Sequence, residues 1–442
     1  MPDQGLPGAA AGDTRQSRSW QPVLSGALAE RAVTAARRVG ATLRAGLDDM
    51  PPGEGAGRPA TAGSVSLAAG YAGRALLHEY LARAWGREDD AETAWRLLAL
   101  AGEAVAEVGM SPSLYSGFSG VAWVTEHLSA AATEDAAEDA NEEIDRALVA
   151  CLEQSPWRGD YDLIRGLVGL GVYALERLPR ATALRCLELV LARLGESAEQ
   201  TADGITWKTA PELLVPMQRR WCPEGYYNLG VAHGVPGVVA LLAAAWAAGV
   251  GRERARPLLD GAVSWVRSRA IPGESGSAFP AWVAPGAEPR PTRAAWCYGD
   301  PGVAATLLAA ARCVGESAWE AHALEIGRAA AARPPDAAGV HDACLCHGAA
   351  GLGHLYNRMF QTTGDPALRD AARAWFVRAL DHARTGRGVA GFAAWQPGPD
   401  GKMGWHDDPG FLTGAAGVAL ALLAAATDVE PHWDRVMLLS VR

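Results

Sequence analysis

A glycine pair spaced G-x-x-G recurs seven times in this chain, each copy running into an apolar, helix-forming stretch. The first glycines are Gly70, Gly117, Gly166, Gly234, Gly299, Gly348 and Gly414, and each second glycine follows three residues later. Successive first glycines are 47, 49, 68, 65, 49 and 66 residues apart. One such pair would constrain little. Seven in the same context define a repeat, in which each unit needs its neighbours to bury its apolar face. Glycine at both positions points to a turn with permissive backbone or close approach of another chain segment, followed by a helix start.

The runs after the turns, such as "GVVALLAAA" after Gly237, are apolar on nearly every side, as in helices buried all round. Between them lie amphipathic, charged stretches: 88–108, 179–197 and 365–384 are examples. Buried helices alternating with half-exposed ones give an all-α fold of two layers. Closed into a ring, that is an α/α toroid of seven inner and seven outer helices, with the seven glycine turns and short β-like loops at one end. An open solenoid would carry the same period, because repeats alone do not show closure. The toroid is expected to occupy 23–442 as one domain, after a flexible N-terminus at 1–22. A second flexible segment is expected at about 49–63, and the acidic stretch 133–146 reads as a solvated helix face.

Three steps are longer than the rest. The added residues, 204–228, 271–296 and 385–410, are rich in Trp, Pro and Gly and precede the fourth, fifth and seventh turns. Long loops in a compact fold tend to carry function. Their tryptophans, Trp207, Trp221, Trp282, Trp296, Trp395 and Trp405, are expected to form an apolar rim at the turn end, although any one of them could equally pack its loop onto the barrel.

The formal net charge is −10 and no Lys/Arg tract is present, which gives nucleic acid or an anionic membrane little to bind. No uncharged run reaches membrane-span length, and the first residues lack the apolar core of a secretory signal. The seven cysteines, an odd number scattered over a long chain, do not read as a disulfide framework. These features fit a cytoplasmic protein with reduced thiols. Heavy use of Ala and Arg over Lys suggests a GC-rich bacterial genome.

In a toroid, equivalent positions of the repeats converge, so the residues just before each glycine pair should meet. The third turn offers Asp162 and Arg165, the fourth His233, the fifth Cys297 and Tyr298 with Arg293 upstream, and the sixth Cys346 and His347. Two thiols and an imidazole from neighbouring repeats form a set that suits zinc and leaves a fourth position open. The sixth turn offers Cys344 as well as Cys346, and Cys346 stands beside His347. The plainer reading is that buried cysteines pack and lone histidines satisfy hydrogen bonds. It fits Cys151, Cys186, Cys313, His78 and His354, which fall within helical patterns; Cys222 in a long loop is undecided. Paired carboxylates among Asp162, Asp300, Asp407 and Asp408, with sugar-stacking tryptophans, would instead suit a glycosidase, but would leave the thiols unexplained.

The segments "YDLIRGLVGLG", "NLGVAHGVPG", "RAAWCYGDPG" and "CLCHGAAGLG" resemble the LanC-like lanthionine cyclases from about residue 25 to the C-terminus. The W-C-Y-G and C-H-G motifs in that order are highly specific. The resemblance implies an α/α toroid that binds one zinc ion per chain through Cys297, Cys346 and His347. It places other functional residues at Asp162, His233, Arg293 and Tyr298. The implied activity is class I lanthipeptide (lantibiotic) biosynthesis by a standalone, zinc-dependent lanthionine synthetase, in an actinobacterial cytoplasm. Cysteine thiols of a dehydrated precursor, leader plus core, would add in Michael fashion to dehydroalanine or dehydrobutyrine and form thioether rings. A dehydratase and a transporter are the implied partners. A zinc-binding or glutathione-handling scaffold, as in other members of the family, is the remaining alternative.

Overall fold

The computed structural model describes residues 19–48, 61–129, 139–271 and 277–440. The expectations for 1–18, 49–60 and 133–138 therefore lie outside the described residues. Among those described, fourteen long helices alternate between two layers. The outer layer comprises α1 (Gly26–Asp48), α3 (Glu88–Glu107), α5 (Glu142–Leu152), α7 (Ala181–Ser197), α9 (Arg252–Ser268), α11 (Ser317–Ala332) and α13 (Pro366–Asp381). The inner layer comprises α2 (Tyr71–Trp85), α4 (Phe118–Ser129), α6 (Leu167–Arg177), α8 (Val235–Ala247), α10 (Asp300–Val314), α12 (Ala349–Thr363) and α14 (Ala415–Ala426).

Each inner helix packs on the next, and α14 packs back on α2, so the ring is closed and the fold is an α/α toroid. The layers differ as their sequences dictate. In α8 every residue from Val235 to Ala245 is buried, whereas α7 buries a stripe that includes Leu187, Val190, Leu191 and Leu194 and exposes its charged face. Helix α1 covers α14, so the first outer helix shields the last inner one. Trp20, just before α1, is buried and its Nε1 donates to Ala424 O at 2.8 Å, so packing reaches back to residue 20.

The glycine turns owe little to unusual backbone angles. Among the first glycines of the pairs, only Gly299 has a positive φ, +97°. Their common requirement is space: a Cβ on Gly73, Gly120, Gly169, Gly237, Gly302, Gly351 or Gly417 would overlap a carbonyl oxygen six residues upstream. The turn folds back on the helix it starts, and no side chain fits between.

The long loops form three antiparallel ribbons: β1 (Glu199–Thr201) with β2 (Gly204–Thr206), β3 (Tyr227–Asn228) with β4 (Trp282–Val283), and β5 (Ala394–Pro397) with β6 (Met403–His406). Their tryptophans do not act as one set. Trp207 and Trp296 are fully buried and donate to Leu194 O (2.9 Å) and Met437 O (3.0 Å), so they fix loops to the barrel. Trp221 and Trp405 are exposed, and Trp282 and Trp395 are half-buried.

Two buried polar assemblies were not evident in the sequence. Asp145, expected on a solvated face, is fully buried and pairs with Arg177 at 2.6 Å; Arg177 also holds Asp139 (2.6 Å) and Glu126 (2.7 Å). A buried guanidinium needs such partners, since an unpaired charge there is costly. The second assembly is the segment around the 3₁₀ turn His432–Met437, which fills the interior of the inner ring. Asp434 bonds His354 Nε2 (2.8 Å) and Arg358 Nε (2.6 Å) of α12, and Arg435 reaches Glu176 of α6 at 3.3 Å. Tyr115, two residues before Gly117, donates to Val436 O at 3.0 Å.

Candidate metal centre

The turns are linked to one another by backbone. In five of the seven turns the residue two positions before the first glycine donates to its counterpart in the next repeat. Leu412 N donates to Ala68 O (2.9 Å), Ala68 N to Tyr115 O (2.9 Å) and Tyr115 N to Ile164 O (3.4 Å). Cys297 N donates to Cys346 O (3.3 Å) and Cys346 N to Leu412 O (3.0 Å). Leu163 N donates to Ala232 O at 3.2 Å, and Gly230 lies against the Cys297 carbonyl and the Tyr298 ring. Cys297 and Cys346 are thus neighbours in this belt, which is why residues 49 apart in sequence meet. The next position holds Arg165, His233, Tyr298 and His347 in successive turns.

One ligand atom each of Cys297, Cys346 and His347 lies within 4.8 Å of the others. Nδ1 of His347 is buried with no hydrogen-bond partner among the described residues. Two thiols and one imidazole with an unpaired ring nitrogen fit a tetrahedral zinc ion with one position left open. A second group, Asp342, Cys344 and His347, is equally compact and shares the same imidazole. The chemistry favours the first. The neighbouring Cys346 thiol, then His347 and Arg293, lower the Cys297 thiol against the opposing effect of burial, while Cys346 is pushed up by Cys297 and by burial. Burial, then Asp342, pushes the Cys344 thiol well above its ordinary range, and both Asp342 oxygens already accept backbone N–H groups.

The other expected residues gather beside this cluster. His233 Nδ1 and Asp162 Oδ2 are 2.6 Å apart, and the other Asp162 oxygen accepts from Arg165 N at 2.7 Å. An ionised carboxylate only accepts, so Nδ1 carries the proton and Nε2 is left for other work. Tyr298 stacks against His233 with centroids 6.2 Å apart and planes at 26°. Its hydroxyl accepts from Asn228 Nδ2 at 3.2 Å, and burial raises its pKa far above the ordinary phenol value. Arg293 lies close enough to act on both thiols and makes no ion pair among the described residues.

Two of the carboxylates that a glycosidase would need, Asp300 and Asp408, are otherwise engaged, Asp162 is bound to His233, and Asp407 is exposed. Asp300 accepts from Ala278 N (2.9 Å) and Phe279 N (3.0 Å), and Asp408 from Gly410 N (2.8 Å) and Thr413 Oγ1 (2.7 Å). All seven cysteines are free, and Cys222 packs in a small cluster with Leu214 and Tyr226. Sequence reasoning passed over Asn228 and Asp342. The signal was available: both stand six residues before a first glycine, where the fifth turn has Arg293 and the seventh Asp408. In Asn228, Asp342 and Asp408 the side chain caps the backbone N–H two residues on. The fifth turn has no such cap, and it alone has the positive φ at its first glycine.

The family described as "Lanthionine synthetase C-like protein" matches residues 61–438. Among solved structures, a nisin cyclase superposes with a TM-score of 0.70 at 20% identity, covering 85% of this chain and 92% of that one. No curated protein matches the chain.

Proposed function

This chain belongs to the lanthionine synthetase C-like family, and from that premise we propose that it is a zinc-dependent lanthipeptide cyclase. The observation that carries the reading is the convergence of Cys297, Cys346 and His347 beside the Asp162–His233 pair. One zinc ion held by those three side chains would favour the thiolate form of a substrate cysteine near neutral pH.

The rest of the work falls to the chain's own groups. The substrate is a precursor peptide with free cysteines and dehydroalanine or dehydrobutyrine residues, so a dehydratase must act before it. In the reaction an S–Cβ bond forms, the alkene π bond breaks, and the thiol proton is replaced by one delivered to Cα. Mass is unchanged. His233 is the general acid/base: Asp162 holds its Nδ1–H, and Nε2 takes the thiol proton or protonates the enolate. The Arg293 guanidinium, which makes no ion pair among the described residues and is within electrostatic reach of both thiols, offsets the negative charge that develops on the enolate. Tyr298 walls the site against His233. All seven cysteines are free, which supports a cytoplasmic setting, and among the described residues no helix is long and apolar enough to cross a membrane.

The test is to incubate zinc-loaded protein with a dehydrated precursor. Its thiols should become resistant to an alkylating reagent while the mass stays constant. A precursor left fully alkylatable would overturn the cyclase reading and favour a zinc-binding scaffold.

A further inference from the structure

Asp342 is a buried carboxylate, 2% exposed, with no ion-pair partner among the described residues, and it is placed between two elements of the site. Its Oδ1 accepts from Cys344 N at 3.1 Å, inside the turn that carries Cys346 and His347. Its Oδ2 accepts from Trp395 N at 2.9 Å, at the second residue of β5. Its own carbonyl accepts from Ala349 N at 2.9 Å, at the start of α12. One side chain therefore joins the turn bearing two of the three metal-ligand residues to a hairpin that begins some fifty residues later.

The comparison with the neighbouring repeats shows that this is a device and not a generic cap. Asn228, at the same repeat position, also caps its own turn with Oδ1 (Gly230 N, 2.8 Å) and reaches onward with its second atom, to Tyr298 Oη. Asp408, in the seventh turn, spends both oxygens within its own turn, on Gly410 N and Thr413 Oγ1. Only the two residues beside the proposed chemistry tie their turn to a second element, and each ties it to an aromatic residue.

That hairpin has a surface suited to a peptide. Trp395 and Trp405 face each other across β5 and β6 with centroids 5.2 Å apart, His341 packs 6.3 Å from Trp395, and Met403 and Trp405 are 51% and 48% exposed. Two adjacent strands with exposed apolar side chains form a wall against which a flexible chain can lie in several registers.

We propose that Asp342 is a positioning residue that clasps the β5–β6 hairpin to the Cys346–His347 turn, making the Trp395–Trp405 pair the substrate-side wall of the metal centre. The wall assignment rests on the cyclase reading; the clasp does not. Ordering of the metal ligands is then transmitted to the hairpin through one carboxylate, and the hairpin in turn holds the ligand turn in place.

The experiment is hydrogen–deuterium exchange over 394–406 in the zinc-free and zinc-loaded protein, for the wild type and Asp342→Asn. In the wild type, zinc should slow exchange of the hairpin. In Asp342→Asn an amide NH₂ faces one of the two backbone donors, so the zinc-dependent slowing should be lost and zinc affinity, read by chelator competition, should fall about tenfold. Cys344→Ala, which leaves the clasp intact, should keep the slowing. A hairpin in the wild type whose exchange ignores zinc overturns the clasp without recourse to any variant, as does an Asn variant that keeps the slowing. The wall is tested separately by Trp405→Ala, expected to raise KM for the dehydrated precursor with kcat little changed; an unaltered KM overturns it. Because the exchange measurement uses no substrate, failure of the cyclase reading would leave its outcome untouched.

Discussion

The turn end of the barrel and its interior both bury charge, and they do so in opposite ways. In the interior, each charge is answered. Asp434 faces Arg358 and His354, and Glu176 faces His127 at 2.9 Å and Arg435. At the turn end, Arg293 stands in the turn of Cys297 and Asp342 in the turn of Cys346 and His347, and neither has an ion-pair partner among the described residues. Closed pairs hold helices together and have nothing left to offer a ligand. A charge without a counter-ion can instead be held by backbone N–H groups, as Asp342 is, or be left for a reacting substrate, as proposed for Arg293. Buried histidine is thus no guide by itself: His354 and His78 are each tied to an aspartate, Asp434 and Asp90, as packing residues should be.

If that division is right, removing a thiol at the turn end should abolish metal binding without unfolding the chain. Cys297→Ala and Cys346→Ala should each lose the single zinc by elemental analysis and all cyclisation, with unchanged helical circular dichroism, while Cys344→Ala keeps its metal. Zinc retained by Cys346→Ala and lost by Cys344→Ala would move the centre to the second ligand group. His233→Ala should separate metal binding from proton transfer at the same end. Zinc content and fold stay, and the rate of thioether formation falls by about 10²–10⁴-fold. A variant that cyclises at the wild-type rate removes His233 from the mechanism.

The interior should respond in the reverse sense. Arg358→Met leaves Asp434 buried without its guanidinium, at a cost of roughly 3–5 kcal/mol in stability, with zinc content and turnover per folded molecule unchanged. It should also alter the acid limb. Burial pushes the Asp434 carboxyl up, but Arg358 and His354 outweigh it and hold the pKa well below the carboxylate range. A depressed folded pKa contributes stability above the unfolded value, near 4, that is lost as pH falls through the folded one. The variant should therefore unfold at a higher pH than the wild type in an acid titration. Loss of zinc in this variant at neutral pH would show that the interior and the turn end are not independent.

How much of this contrast can be read from sequence differs between the two regions. The glycine pairs announce every inner helix, because a close approach that excludes Cβ leaves a mark at a fixed position. The same register places Cys297 and Cys346 at one repeat position and His233, Tyr298 and His347 at the next, so the gathering of the site is written in the spacing. Closure of the ring is not, since it depends on α14 meeting α2 in space. Nor is the content of the interior. "PHWDRVML" has no period and no motif, and nothing local pairs Asp434 with a helix begun some eighty residues earlier. Asp145 misleads for the same reason: an acidic stretch looks solvated until Arg177, from another repeat, is placed against it. Trp207 and Trp296 were indistinguishable from Trp221 and Trp405 until their N–H partners were known.

The smallest effect tests the boundary between the two modes. Tyr298 follows Cys297 and stacks on His233, its hydroxyl accepts from Asn228, and burial keeps it a neutral phenol at any working pH. A wall residue of this kind contributes ring area and one hydrogen bond, so Tyr298→Phe should change kcat/KM by no more than that bond is worth, about 0.5–1.5 kcal/mol or up to roughly tenfold. Tyr298→Ala, which also removes the ring that packs on His233, should cost more. A proton donor would behave differently. The Phe variant would then fall as far as His233→Ala, and the loss would appear in kcat with the pH profile altered. Steady-state measurement of both variants against pH separates the two: a fall in Phe equal to that of Ala would place Tyr298 among the open groups of the turn end.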